Sequence, residues 1–114
     1  MANDMWKRIF RHLVSEGFDV YPPGKHEGEC SSYYLVLNDG GSGKVIGGGY
    51  KLFNISLYVP LNEYSEIEGY TSHIKKSMKK LLFLRHSGND TPIIINEKFK
   101  AHEQTLEYIV MKRM

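Results

Sequence analysis

The 114-residue chain has one cysteine, four prolines, one tryptophan and almost no imbalance of charge, and each scarcity removes a class of protein. A lone Cys30 cannot form an internal disulfide, whereas secreted domains this short usually carry paired cysteines that compensate for a small core. A reducing compartment, the cytoplasm, is therefore expected. Fifteen Lys and Arg against thirteen Asp and Glu leave a net charge of +2. Neither an acidic disordered segment nor a basic nucleic-acid arm has that balance. Apolar runs are short throughout, and none approaches the roughly 20 residues that span a bilayer. The first residues interleave Asp4, Lys7, Arg8, Arg11 and His12 with apolar positions, unlike the continuous apolar core of a signal peptide. The expectation is a soluble, untargeted chain with no membrane partner. It should fold as one domain, 1–114, with a radius of gyration of roughly 13 Å.

The surplus is in tyrosine and glycine: eight tyrosines and eleven glycines, six of the latter between Gly40 and Gly49. Patterned segments flank that stretch. Met5, Trp6, Ile9, Phe10, Leu13 and Val14 recur at the spacing of an amphipathic helix, with Lys7, Arg8, Arg11 and Ser15 opposite. With Asn3 or Asp4 as cap and Gly17 as terminator, a helix is predicted over about 4–16. The next segment, about 18–21, reads as extended and is stopped by Pro22 and Pro23, after which a polar loop runs to Ser32. Strands are predicted over about 33–37 and 50–59, joined by a long flexible hairpin. Alternation in the longer strand separates Phe53, Ile55, Leu57 and Val59 from Tyr50, Leu52, Asn54, Ser56 and Tyr58. The second set has no formal charge, so another element or another chain is expected to cover part of it.

Ser65 and Glu68 fit a capping box, and Ile67, Tyr70, Ile74, Met78, Leu81 and Leu82 follow at helical spacing with lysines toward the end. A second helix is predicted over about 66–83. After a turn, about 92–96 reads as a short strand and 105–111 as another, with Leu106, Tyr108 and Val110 on its buried side. The order α-β-β-β-α-β-β predicts an α+β fold. Two helices would pack on one face of a mostly antiparallel four- to five-stranded sheet.

Chemistry-bearing motifs are few. Glycines around Lys44 suggest a phosphate loop, but the first glycine of that motif would fall at Asn38 and its magnesium-binding hydroxyl at Val45. Ile46 likewise breaks a dinucleotide pattern begun by Gly41 and Gly43. A hairpin that orders against a partner is the better reading, at an entropic cost when it binds. Among five histidines no H-x-x-x-H pair occurs, and only His26 and Cys30 lie close enough in sequence to share a metal. Two ligands do not make a zinc site. The surroundings of Cys30 resemble no thiol-enzyme motif, and Glu63, Glu66 and Glu68 have turn and capping duties. No catalytic residue, metal site or cofactor is assigned, and an enzyme is not expected.

Lys75, Lys76, Lys79 and Lys80 form two i, i+4 pairs on the polar side of the second helix. They suit a solvated face or, less simply, contact with phosphates. Tyr33, Tyr34, Tyr50 and Tyr58 have rings that can stack on bases or fill a protein interface. They lack the interleaved Arg and Lys that would track a nucleic-acid backbone, which favours the interface.

Taken in order, an amphipathic helix ending at Gly17, the Phe18-Asp19-Val20-Tyr21-Pro22-Pro23 exit and the Tyr33-Tyr34-Leu35-Val36-Leu37 strand lead into the glycine-rich hairpin. The strand to Pro60 then passes through Leu61-Asn62-Glu63-Tyr64 into the second helix and a final strand. This layout, from Asp4 to Lys112, resembles the tail terminator proteins, also called tail completion or tail-to-head joining proteins, of tailed bacteriophages and phage-tail-like bacteriocins. The resemblance implies a structural protein of the virion tail, assembled in the host bacterial cytoplasm. It implies a homo-oligomeric ring, typically a hexamer, that caps the tail tube, stops its polymerisation and joins it to the neck and head. Its partners would be itself, the tail tube, the neck or connector proteins and, where there is one, the sheath, with DNA only passing through the lumen. Under this reading Asp39, Lys44, Tyr50, Leu52 and Tyr58 are the expected subunit or tube interface. Lys75, Lys76, Lys79 and Lys80 are an expected lumen-facing patch. Another phage neck or head-completion protein, a small α+β nucleic-acid-binding module, and an enzyme using His26 or Cys30 stay open beside it.

Overall fold

Ile9 and Leu13, one helical turn apart, are fully buried, and their helix α1 (Ala2–Ser15) lies against the sheet along that stripe. The structure, a computed structural model, describes residues 2–24, 30, 32–45 and 48–113, with side chains for 5–24, 30, 32–40 and 48–110. Trp6 and Phe10 stack at 5.1 Å beside the stripe. At the C-terminus of α1, Gly17 takes φ +94°, which an L side chain adopts only with strain. Its N–H donates to the Val14 carbonyl and that of Phe18 to the Leu13 carbonyl. This is a Schellman closure, with Phe18 and Leu13 also meeting in the core.

The strands are β1 (Val20–Tyr21), β2 (Tyr34–Val45), β3 (Gly48–Pro60), β4 (Arg85–His86), β5 (Ile94–Asn96) and β6 (Ala101–Arg113). The second helix is α2 (Ile67–Met78). The sheet runs β1-β2-β3-β6, with β4 and β5 both against the outer edge of β6. The fold is α+β with two helices and a mixed six-stranded sheet. Two finer expectations change. β1 runs parallel to β2, pairing Val20 with Leu35, so the sheet expected to be mostly antiparallel is a mixed one of six strands rather than four or five. β4 adds a strand that no pattern announced.

Alternation sorts the core. Phe53, Ile55, Leu57 and Val59 of β3, Leu35 and Leu37 of β2, and Leu106, Tyr108 and Val110 of β6 form one cluster with Ile9 and Leu13 of α1 and Ile67, Ile74 and Met78 of α2. The helices also bond to each other. The His12 ring nitrogen Nε2 donates to the Ser77 carbonyl at 2.9 Å, and the Ser77 hydroxyl donates to Glu16 at 3.0 Å.

The expected flexible hairpin is instead a ladder. Gly41 pairs with Leu52, Gly43 with Tyr50 and Val45 with Gly48, while β6 keeps pace on the other side out to Arg113 opposite Gly48. Ladder bonds need only backbone groups, so glycines can continue a strand that flanking strands hold in place. One residue slips out of register at Gly40. A Cβ there would come within 3.1 Å of Leu52 and Asn54, which explains a glycine at this bulge. This three-stranded blade makes the molecule 47 × 24 × 24 Å, with a radius of gyration of 14.4 Å.

The capping box does not form. A 3-10 segment, Leu61–Glu66, runs directly into α2, and the Ile67 N–H finds the Tyr64 carbonyl rather than a side chain. Because α2 stops at Met78, tighter turns follow, and the helical stripe drawn through Leu82 breaks. Leu82 is 92% exposed, and Leu84 takes the buried place.

Candidate functional site

The uncharged even-numbered face of β3 is covered over only half its length. Tyr58 and Tyr34 stack at 4.6 Å and 12°, with Phe99 edge-on to Tyr58 at 5.9 Å. Together with Cys30 and Ala101 they make a second, smaller core. The Cys30 N–H donates to the Phe99 carbonyl, which brings these two sequence-distant residues together beside the tyrosines. Tyr58 donates to Glu103 at 3.1 Å, and the neighbouring Ser56 and Thr105 hydroxyls bond at 3.0 Å. Tyr58 is only 8% exposed. It is therefore packed inside its own chain, which corrects its expected place on a partner-facing surface.

Cys30 belongs to this packing. Its thiol donates to the Ser32 carbonyl, and burial pushes its pKa above the ordinary value, which favours the inert thiol over the thiolate. His26, the other half of the sequence-level metal or thiol pair, lies outside the described residues.

Farther out, cover ends. Tyr50, Leu52 and Asn54 of β3 and Ile109 of β6 are half-buried. Leu52 stands opposite Ile109 across the ladder. Asp39 is less available than expected, because its carboxylate accepts from the Lys51 ammonium on the other side of the sheet. For Lys44 the backbone pairs with Gly49, and its side chain lies outside the described residues.

The four lysines divide. Lys75 pairs with Asp90 at 3.0 Å and Lys80 with Glu16 at 2.7 Å, while Lys76 and Lys79 make no ion pair among the described residues. Lys75 and Lys79 border a cavity of about 330 Å³ floored by Met78, Leu81, Leu84 and Tyr108. Lys76 and Lys80 border a separate groove beside Glu16 and His73. A single lumen-facing patch is thus two half-neutralised pairs. Burial opposes ionisation of Asp90, yet the bonds and charges of His86 and Lys75 outweigh it and hold the carboxyl below its ordinary value. For Glu16, the Lys80 and Ser77 hydrogen bonds do the same.

Two features escaped the sequence reading. Ile94 and Ile95, 54% and 60% exposed, sit on edge strand β5, with Ile93, Leu61 and Tyr64 also exposed nearby. A run of three isoleucines after Pro92 was the available signal, because such a run on an edge is a pairing hazard unless something covers it. The second feature is the outer edge of β2. β1 pairs with it only at Leu35 and Val36, the Trp6 indole donates to the Leu37 carbonyl at 2.9 Å, and beyond that no strand among the described residues pairs with it.

Among the described residues no group of three or more His, Cys, Asp or Glu could hold a metal ion, and no helix is long and apolar enough to cross a membrane. No protein-family model, curated protein or solved structure matches the chain.

Proposed function

We propose that the chain is a structural subunit of a bacteriophage or bacteriocin tail, a tail terminator that assembles into a ring, caps the tail tube and presents a docking surface to the neck. The observation that carries this reading is the blade formed by β2, β3 and β6. It runs on past Leu37, Phe53 and Val110, the outermost members of the main core cluster on these strands, leaves Tyr50, Leu52 and Ile109 partly open on its even-numbered face, and ends in unpaired outer edges among the described residues. An open sheet face and free edges are suited to subunits and tube, since ladder bonds and apolar contacts are completed together. The resemblance of the element order to tail terminators supplies the particular assembly. A single-strand nucleic-acid module draws less support, because Lys75 and Lys80 are each neutralised by a carboxylate and Tyr34 and Tyr58 stack on each other rather than outward.

The purified chain should sediment as a ring-sized species at micromolar concentration and, mixed with tail tubes, should appear at tube ends in electron micrographs. A chain that stays monomeric at high micromolar concentration and leaves tube growth unchanged would remove the reading.

A further inference from the structure

The two ends of α2 differ in charge, and one carries an apolar projection where the other borders an apolar cavity. At its N-terminal end the Leu61–Glu66 segment exposes Leu61 and Tyr64, with Glu66 and Glu68 exposed beside them. The Tyr64 ring is held edge-on against His102 at 4.8 Å, so this apolar projection has a fixed base. Neither glutamate makes an ion pair among the described residues. At the C-terminal end, roughly 18 Å away for a 12-residue helix, lies the cavity of about 330 Å³. Its floor is apolar, and its mouth carries Lys79, Arg85 and the almost wholly exposed Leu82.

The cavity is also incomplete in its polar chemistry. Tyr108, on the floor, is 3% exposed, and its hydroxyl has no hydrogen-bond partner among the described residues. Lys79 and Arg85 have no carboxylate within ion-pair distance among the described residues. Lys75 and His86, by contrast, are already engaged by Asp90 on the same rim. What the cavity lacks is an apolar group that arrives with acidic neighbours.

We propose that the occupant is a second copy of this chain: Leu61 and Tyr64 of one subunit enter the α2 C-terminal cavity of the next, and Glu66 and Glu68 face Lys79 and Arg85. The contact is head-to-tail, so each subunit uses one end of α2 for each neighbour. Such heterologous contacts close into a ring when the rotation permits. It rests on the self-association proposed above, but not on the tail being the place of assembly. The blade, on this assignment, is left for the tube or neck.

The test is sedimentation velocity of the full chain and of charge-reversed variants, with circular dichroism confirming that each is folded. Glu66→Lys with Glu68→Lys, and separately Lys79→Glu with Arg85→Glu, should each raise the concentration needed for association by about tenfold or more, because like charges then meet at the contact. A chain carrying all four substitutions should regain most of the association, since the charges are exchanged rather than lost. Leu82→Ser should weaken association without lowering the melting temperature, and Lys76→Glu, on the other side of α2, should leave association unchanged. If the wild-type chain associates but the two reversals stay within about twofold of it, or the four-fold variant fails to recover, this contact is wrong and the ring reading survives. A wild-type chain monomeric at every concentration overturns both.

Discussion

On the odd-numbered face of β3, Phe53, Ile55, Leu57 and Val59 are fully closed from water beneath the helices, whereas on the even-numbered face cover runs out halfway. The same strand, with the same alternation, is thus finished on one side and unfinished on the other. The finished side is built by helices whose apolar stripes need a sheet. The unfinished side is closed at one end by Cys30, Ala101 and Phe99 around Tyr34 and Tyr58, and left partly open from Asn54 outward. If assembly uses the open face, as proposed, stability and assembly reside on different faces of one strand, and substitutions along it should separate them.

The largest effect is expected at Phe53, which is fully buried in the main cluster. Phe53→Ala should cost about 3–5 kcal/mol in denaturant unfolding, a large part of the stability of a domain this size. A cost under about 1 kcal/mol would mean that the helix-covered face is not the principal core. The Tyr58 hydroxyl comes next, bonded to Glu103 in a buried setting. Tyr58→Phe keeps the ring and removes that bond, so a loss of about 1.5 kcal/mol is expected, the lower end for a hydrogen bond to a charged partner because the pair is partly exposed. An unchanged unfolding midpoint would show that stacking alone holds the second core.

How much of this could be read from the residues depends on whether side chains or backbone decided the structure. The stripe of α1, the inward set of β3, and Leu106, Tyr108 and Val110 of β6 were legible because burial writes itself into apolar periodicity. The blade was not, because Gly41, Gly43, Gly48 and Gly49 carry no side-chain pattern and are held by ladder bonds alone. β4 was invisible for a related reason: Arg85 and His86 are exposed and polar, and their backbone joins the sheet. Ser65 and Glu68 have the chemistry of a capping box, but a preceding turn already satisfied the amide. At the site, the lack of charge on the even face drew notice to Tyr50 and Leu52, and both are half-buried. Burial of Tyr58 was not, since its cover comes from Cys30 and Phe99, which are remote in sequence.

A smaller effect should appear in acid. Asp90 titrates below its ordinary value in the folded chain, so the folded state binds its proton less readily than the unfolded state. Its stabilisation is complete above the unfolded pKa of about 4 and is lost as pH falls through the folded value. Asp90→Asn should cost about 1 kcal/mol at neutral pH and reduce the steepness of acid unfolding. An acid transition identical to that of the wild type would show that the Lys75 and His86 contacts do not persist in solution. Because Asp90 pairs with Lys75 on the cavity side of α2, the same measurement asks whether that end is held in place within the single chain.

The smallest effect on stability, and the most telling for assembly, is expected at Leu52. It lies on the even face, half-buried opposite Ile109, beyond the reach of the loops that cover Tyr58. Threonine keeps the strand preference and removes apolar contact area, so Leu52→Thr should change monomer stability by no more than about 0.5 kcal/mol. A shift of that size moves the melting temperature by only about 2–4 °C. If the open half of this face meets the tube, the same substitution should reduce the fraction of capped tube ends while ring formation through α2 continues. A stability loss of about 2 kcal/mol or more would place Leu52 with Phe53 as a core residue. The two faces of β3 would then be equally closed, and the blade would no longer be a separate surface for a partner.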